Sequence, residues 1–133
     1  MRTILFCIFF SVIAFYSGRA QANLTSSDSS VIGIWKGTSI CQVKNSPCHD
    51  EIVVYHISKA EGLDTFNIQA NKIVNGVEED MGVLPCRFDK KRSQLTSTAY
   101  KGNWIFNIKE KSMDGTLLLQ GTLYRIIKLS KQN

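Results

Sequence analysis

Hydrophobic and polar residues alternate with a period of two along most of the chain after residue 30. Phe66, Ile68 and Ala70 are separated by asparagine and glutamine, and Trp104 and Phe106 share a face opposite to that of the flanking asparagines. Because successive side chains of a strand point to opposite faces, this pattern predicts half-buried β-strands. No segment in this region keeps a helical period over ten residues, so the domain is predicted to be all-β.

Turn-forming residues divide this region into nine candidate strands. Asn75-Gly76, which follows Ile73-Val74 in the chain, is the strongest hairpin signal because both residues tolerate the positive φ of a tight turn. Pro85 and the pair Asp114-Gly115 indicate further breaks. The predicted strands are residues 31–41, 51–58, 65–74, 77–84, 87–91, 95–100, 103–109, 115–120 and 122–129.

Eight or nine strands joined by short turns fold into either a sandwich or a closed barrel. Hairpin connections throughout favour an antiparallel up-and-down β-barrel of about eight strands, because closure removes the exposed edges that invite aggregation. A barrel of this size holds either packed side chains or one small ligand. A single domain over residues 31–131 is predicted.

The N-terminus has the pattern of a secretory signal peptide. Arg2 precedes an apolar run over residues 4–16, and Ala20-Gln21-Ala22 provides small residues at a cleavage site. The apolar run of 13 residues is shorter than the roughly 20 needed to span a bilayer. We therefore expect a signal peptide over residues 1–22, a secreted or periplasmic product and no membrane span after cleavage. Residues 23–30 are polar and are predicted to form a flexible arm.

Composition narrows the classes of function. With 133 residues, 44% hydrophobic and 20% charged, the chain is neither a disordered tail nor a collagen-like repeat. Its 16 basic residues include Arg2 and Arg19 of the leader, which leaves 14 against 11 acidic residues, a net charge of +3. This weak charge and the predicted export disfavour a nucleic-acid partner, and the basic run 90–92 is interpreted as solvated surface.

Three cysteines follow the leader. Export favours a disulfide, and Cys41 with Cys48 is the expected pair because the segment between them contains turn formers. Cys86 is then left over, either buried as a small hydrophobic side chain or free for an intermolecular bridge. Pairing of Cys86 with one of the other two stays open at this stage.

The same cysteines, together with His49, have donor types suited to zinc. The six-residue spacing is wider than the usual two to four, and oxidation competes with thiolate ligation, so no metal or other cofactor is expected. Cys48-His49-Asp50 could be a nucleophilic group, but adjacent side chains point apart. Since no paired-carboxylate or nucleophile pattern is present either, no enzymatic activity is predicted.

Gly33-Ile34-Trp35 at the start of the first strand resembles the Gly-x-Trp motif of lipocalins and other calycin-superfamily barrels. Arg125 in the last strand is similar to the late arginine that packs across that tryptophan in lipocalins, through cation–π contact and hydrogen bonds. The resemblance implies structural roles for Gly33, Trp35 and Arg125. A middle Thr-Asp-Tyr motif and a segment for the helix after the last strand are both missing.

A lipocalin-like barrel implies an exported binding protein for a small hydrophobic ligand. Pockets combine apolar walls with a few polar groups, and a cavity above about 300 Å³ would favour this function. The alternative is a protein–protein interaction module without a ligand cavity, similar to a protease inhibitor or an envelope assembly component, whose polar arm engages the partner. The inward-facing candidates for ligand contact are Tyr55, Phe66, Ile68, Trp104 and Phe106.

Overall fold

A computed structural model describes residues 26–133, so the predicted signal peptide over residues 1–22 and the first part of the predicted arm lie outside the described residues. The described chain forms a closed, eight-stranded, antiparallel up-and-down barrel, which confirms the predicted fold class. The elements are α1 (Ser26–Val31), β1 (Gly33–Cys41), β2 (Glu51–Lys59), β3 (Thr65–Val74), β4 (Val77–Asp89), β5 (Gln94–Ser97), a 3₁₀ turn (Ala99–Lys101), β6 (Gly102–Lys109), β7 (Ser112–Leu119) and β8 (Thr122–Lys131).

Each strand pairs with the next in sequence, and β8 returns to pair with β1. The period of two predicted from the sequence separates the core from the surface. Phe66 and Ile68 on β3 are fully buried, as are Leu95 on β5 and Phe106 on β6. Within residues 26–133, no helix is long and apolar enough to cross a membrane.

Pro85 does not break the sheet, so the predicted strands 77–84 and 87–91 are one continuous strand, β4. β4 pairs with β5 only at its last three residues. Further back along the same edge, the Val83 carbonyl accepts a hydrogen bond from the Tyr100 hydroxyl instead of from a strand. Backbone groups two residues apart in a strand point to the same side, so the backbone nitrogen of Pro85 points the same way as the Val83 carbonyl. The missing N–H of Pro85 therefore faces the unpaired edge, and no ladder hydrogen bond is lost.

Asp114-Gly115, predicted as a turn, lies inside β7. The turn that precedes β7 is at Glu110, whose φ is 50°. Gly115 packs against Phe106, and a Cβ at this position would stand only 2.5 Å from the ring atom Cδ1. Glycine is needed here because a larger residue would collide with the Phe106 ring. The Asp-Gly pair alone does not show whether its glycine serves a turn or a close contact of this kind.

Residues 26–30, predicted as part of a flexible arm, belong to α1 and pack against the barrel. Val31 is fully buried, and the indole Nε1 of Trp35 donates to its carbonyl at 2.9 Å. The buried Asp28 lies 3.4 Å from Lys59 Nζ. α1 thus covers one end of the barrel, which we call the closed end.

Cys41 and Cys48 form a disulfide with a Cα–Cα distance of 5.9 Å, which confirms the predicted pair. It ties the end of β1 to the loop that leads into β2. Cys86 is the free cysteine, and it is buried in the core. Burial raises the pKa of its thiol to about 12, so the thiol stays protonated at neutral pH.

Candidate functional site

The closed end has the Gly-x-Trp arrangement, but with a different cation from the one expected. Gly33 has a φ of 138°, and Trp35 is fully buried. The antiparallel register pairs Trp35 with Lys131 and places Arg125 beside Cys41, at the other end of β1. Lys131 Nζ lies 5.5 Å from the centroid of the Trp35 ring. The expectation that Arg125 packs across Trp35 is therefore corrected: Lys131 occupies that place, because only the last residues of β8 reach the closed end.

A cavity of about 190 Å³ lies at the opposite end of the barrel. Its floor is formed by the buried side chains of Ser39, Tyr55 and Leu84. Met81 and Tyr100, which are exposed, form its rim. The cavity therefore reaches from solvent into the upper part of the core.

Of the five predicted ligand residues, two line the cavity and three lie in the packed core. Tyr55 and Trp104 line the cavity. Phe66, Ile68 and Phe106 are fully buried and do not line it. Phe106 packs edge-on against Tyr55 at 6.1 Å between ring centroids and stacks with Trp104 at 6.2 Å, so it supports both lining residues from the core.

Arg125, assigned a structural role by the resemblance, is a lining residue of the cavity. Its Nη1 donates to the Ser39 carbonyl at 3.3 Å, to the Ser39 hydroxyl at 3.1 Å and to the His49 carbonyl at 3.2 Å. Nη1 also lies 3.4 Å from the Glu51 carboxylate. Nη2 and Nε make no hydrogen bond with the residues in the described range. Arg125 thus joins β8, β1 and the loop before β2 through Nη1, and its guanidinium carbon also lies 5.8 Å from the centroid of the Tyr124 ring.

The Tyr55 hydroxyl is the least expected feature of the floor. Tyr55 is only 3% exposed, and no residue from 26 to 133 hydrogen-bonds its hydroxyl. The hydroxyl oxygen is not sealed inside the core but opens onto the cavity. Burial raises the pKa of Tyr55, so the hydroxyl remains a neutral donor and acceptor at physiological pH.

Tyr100 crosses the rim in a strained backbone conformation. Its φ is 57°, which a residue with a Cβ rarely adopts. The hydroxyl donates to the Val83 carbonyl at 2.7 Å, and a Cβ on Gly82 would stand 2.8 Å from the same hydroxyl oxygen. The indole N–H of Trp104 donates to the Ala99 carbonyl at 3.1 Å and anchors the turn that carries Tyr100. The sequence pattern placed Tyr100 at the end of the predicted strand 95–100, but β5 ends at Ser97 and Tyr100 lies in the turn that follows.

No group of three or more His, Cys, Asp or Glu side chains within residues 26–133 is arranged to hold a metal ion. The candidate zinc residues are separated by the fold: Cys41 and Cys48 are joined to each other, and Cys86 lies in the core. His49 is exposed and contributes its backbone carbonyl to Arg125.

The cavity therefore combines apolar and aromatic walls with three polar elements: the Tyr55 hydroxyl, the Ser39 hydroxyl and the Arg125–Glu51 pair. Such a site can hold a small molecule and orient it by hydrogen bonds. Comparisons with protein-family models, with curated proteins and with solved structures found no match for this chain.

Proposed function

We propose that this protein binds a small hydrophobic ligand in the cavity and catalyses no reaction. The observation that carries the proposal is a cavity of about 190 Å³ inside a barrel whose other inward side chains are closely packed. Tyr55, Leu84 and Trp104 give it apolar walls. The cavity is smaller than the roughly 300 Å³ that the sequence-based expectation set for this function. The barrel is nevertheless not solid, as the alternative of a protein-interaction module would require, so the cavity supports binding of a smaller ligand.

The volume limits the size of the ligand. Pockets for drug-sized molecules start at about 300 Å³. An apolar cavity of about 150 Å³ holds benzene. The ligand that fits about 190 Å³ is therefore close to a single substituted ring, smaller than the ligand size implied by the sequence-based expectation.

Filling the cavity should abolish binding. Ala70 on β3 lines the cavity and is paired with Tyr55 and Gly82 in the sheet. In Ala70→Leu the added side chain occupies the space of the ring, so the affinity for toluene should fall at least about tenfold. Toluene binding is measured from the ¹H–¹⁵N shift of the Trp104 indole, and the Trp35 indole at the closed end serves as an internal reference.

The matched control for this substitution is Ala60→Leu. Ala60 follows β2 at the closed end and does not line the cavity. This variant should bind toluene as the unaltered protein does. Equal toluene affinity of Ala70→Leu and Ala60→Leu would show that the cavity is not the binding site.

We further propose that the protein is exported after cleavage behind Ala22, which is supported by the leader pattern and by the Cys41–Cys48 disulfide. The intact mass of the exported product should correspond to residues 23–133 with one disulfide. Alkylation should label one cysteine without reductant under denaturing conditions and three with it. A product that keeps its leader, or that labels three cysteines without reductant, contradicts this proposal.

A further inference from the structure

The floor of the cavity has a hydrogen-bonding group that the protein itself leaves unused. Tyr55 is 3% exposed, its side chain lines the cavity, and no described residue hydrogen-bonds its hydroxyl. Because this hydroxyl opens onto the cavity, a ligand that fills the cavity displaces the solvent beside it, and the hydroxyl is then left unpaired unless the ligand supplies an acceptor. The floor therefore favours a ligand that carries a hydrogen-bond acceptor.

Arg125 adds donors of the same kind. All of its hydrogen bonds to the described residues and its contact with Glu51 use Nη1. Nη2 and Nε make no hydrogen bond with residues 26–133, and the Arg125 side chain lines the cavity. An acceptor oxygen near the floor can thus be recognised by a hydroxyl and by a guanidinium.

The charge of the floor is already balanced. Glu51 Oε2 lies 3.4 Å from Arg125 Nη1, and the two side chains are 17% and 15% exposed. A negatively charged ligand would leave this partly buried site with an uncompensated charge, because Glu51 already neutralises Arg125. A neutral ligand brings no such penalty.

We propose, on the basis of the proposed ligand-binding function, that the cavity selects neutral single-ring molecules that carry one hydrogen-bond-accepting oxygen, such as an aryl ketone. The oxygen is held by the Tyr55 hydroxyl and Arg125, and the ring packs between Leu84 and Trp104. Met81 and Tyr100 lie at the solvent side of the ring. Shape thus limits the size of the ligand, and the floor distinguishes polar from purely apolar rings.

Three single-ring probes of similar size test the ligand class on the unaltered protein: acetophenone, ethylbenzene and benzoate. Each is titrated while the Trp104 and Trp35 indole resonances are followed by ¹H–¹⁵N NMR. Acetophenone should bind about tenfold more tightly than ethylbenzene, because only the ketone satisfies the floor. It should also bind more tightly than benzoate, and only the Trp104 resonance should shift directly.

Substitution assigns the preference to the floor. In Tyr55→Phe the preference for acetophenone over ethylbenzene should fall well below tenfold, because only Arg125 still binds the oxygen, while ethylbenzene still shifts the Trp104 resonance and so reports an intact cavity. The matched control is Tyr124→Phe, because Tyr124 on β8 does not line the cavity and phenylalanine keeps the ring that lies 5.8 Å from the Arg125 guanidinium carbon. This control should keep the tenfold preference.

The possible results separate this inference from the proposed function. Equal affinity for acetophenone and ethylbenzene, or tighter binding of benzoate, overturns the inference and leaves hydrophobic ligand binding in place. A preference for the ketone that is undiminished in Tyr55→Phe overturns the role of Tyr55. If none of the three probes binds at millimolar concentration, the proposed function and the inference both fail. The comparison on the unaltered protein decides the ligand class even where a variant does not fold.

Discussion

Replacing Trp35 with alanine is expected to lower the free energy of unfolding by about 4 kcal/mol, within the range for removing a buried tryptophan. Trp35 is fully buried, its indole donates to the Val31 carbonyl, and Lys131 lies over its ring. The substitution therefore removes a core side chain and also the hydrogen bond that holds α1 on the closed end. Urea unfolding followed by far-ultraviolet circular dichroism measures the loss.

The second tryptophan provides the matched control. Trp104 is half-buried and packs against the core from the cavity side. Because less of its surface is buried, Trp104→Ala should cost only about 2 kcal/mol. Stability losses in the reverse order would contradict the assignment of Trp35 to the structural core and of Trp104 to the cavity.

Gly37→Ala is expected to destabilise the barrel by about 3 kcal/mol, the upper part of the usual range for overpacking. Gly37 lies where β1 closes against β8, and its register partner is Leu129. A Cβ at this position would stand 1.9 Å from the Lys128 carbonyl oxygen and 2.9 Å from the Leu129 Cα. Both atoms belong to the backbone, so a change of rotamer cannot relieve the clash, and the seam itself must shift.

Another glycine separates this steric effect from backbone conformation. Gly76 in the β3–β4 turn has a φ of 79°, and a Cβ added to it would have no neighbouring atom within 4 Å. Gly76→Ala should therefore cost only about 1 kcal/mol, the strain of a left-handed alanine. The urea midpoints of the two variants are compared. A loss for Gly37→Ala no larger than that for Gly76→Ala would exclude close approach at the seam as the reason for glycine.

The predicted binding residues show how far the sequence pattern reaches. Alternation correctly placed Tyr55, Phe66, Ile68, Trp104 and Phe106 on the inner face, because side-chain direction in a strand depends only on the parity of position. Depth along the barrel is not part of that pattern. It depends on the register between strands, which leaves three of these side chains in the packed core and two at the cavity.

For Arg125 too, the sequence pattern gives the face of the strand, and the register between strands gives the partners. Its position on the last strand and on the inner face follows from the sequence, but its partners do not. The pairing of β8 with β1 places it beside Cys41 and puts Lys131 over Trp35. Since both residues are cations on one strand, only the register decides which one reaches the tryptophan.

The sequence by itself determined the all-β class, the number of strands to within one and the inward and outward faces, because periodicity and turn chemistry are local properties of the chain. It favoured the Cys41–Cys48 pair through short loop closure, and the burial of Cys86 in the core decided it. The tertiary structure alone decided that β4 continues through Pro85, that Gly115 makes room for Phe106, and that the Tyr55 hydroxyl faces a cavity without a partner among the described residues. These outcomes depend on contacts between strands that are distant in sequence, and such contacts exist only once the barrel has closed.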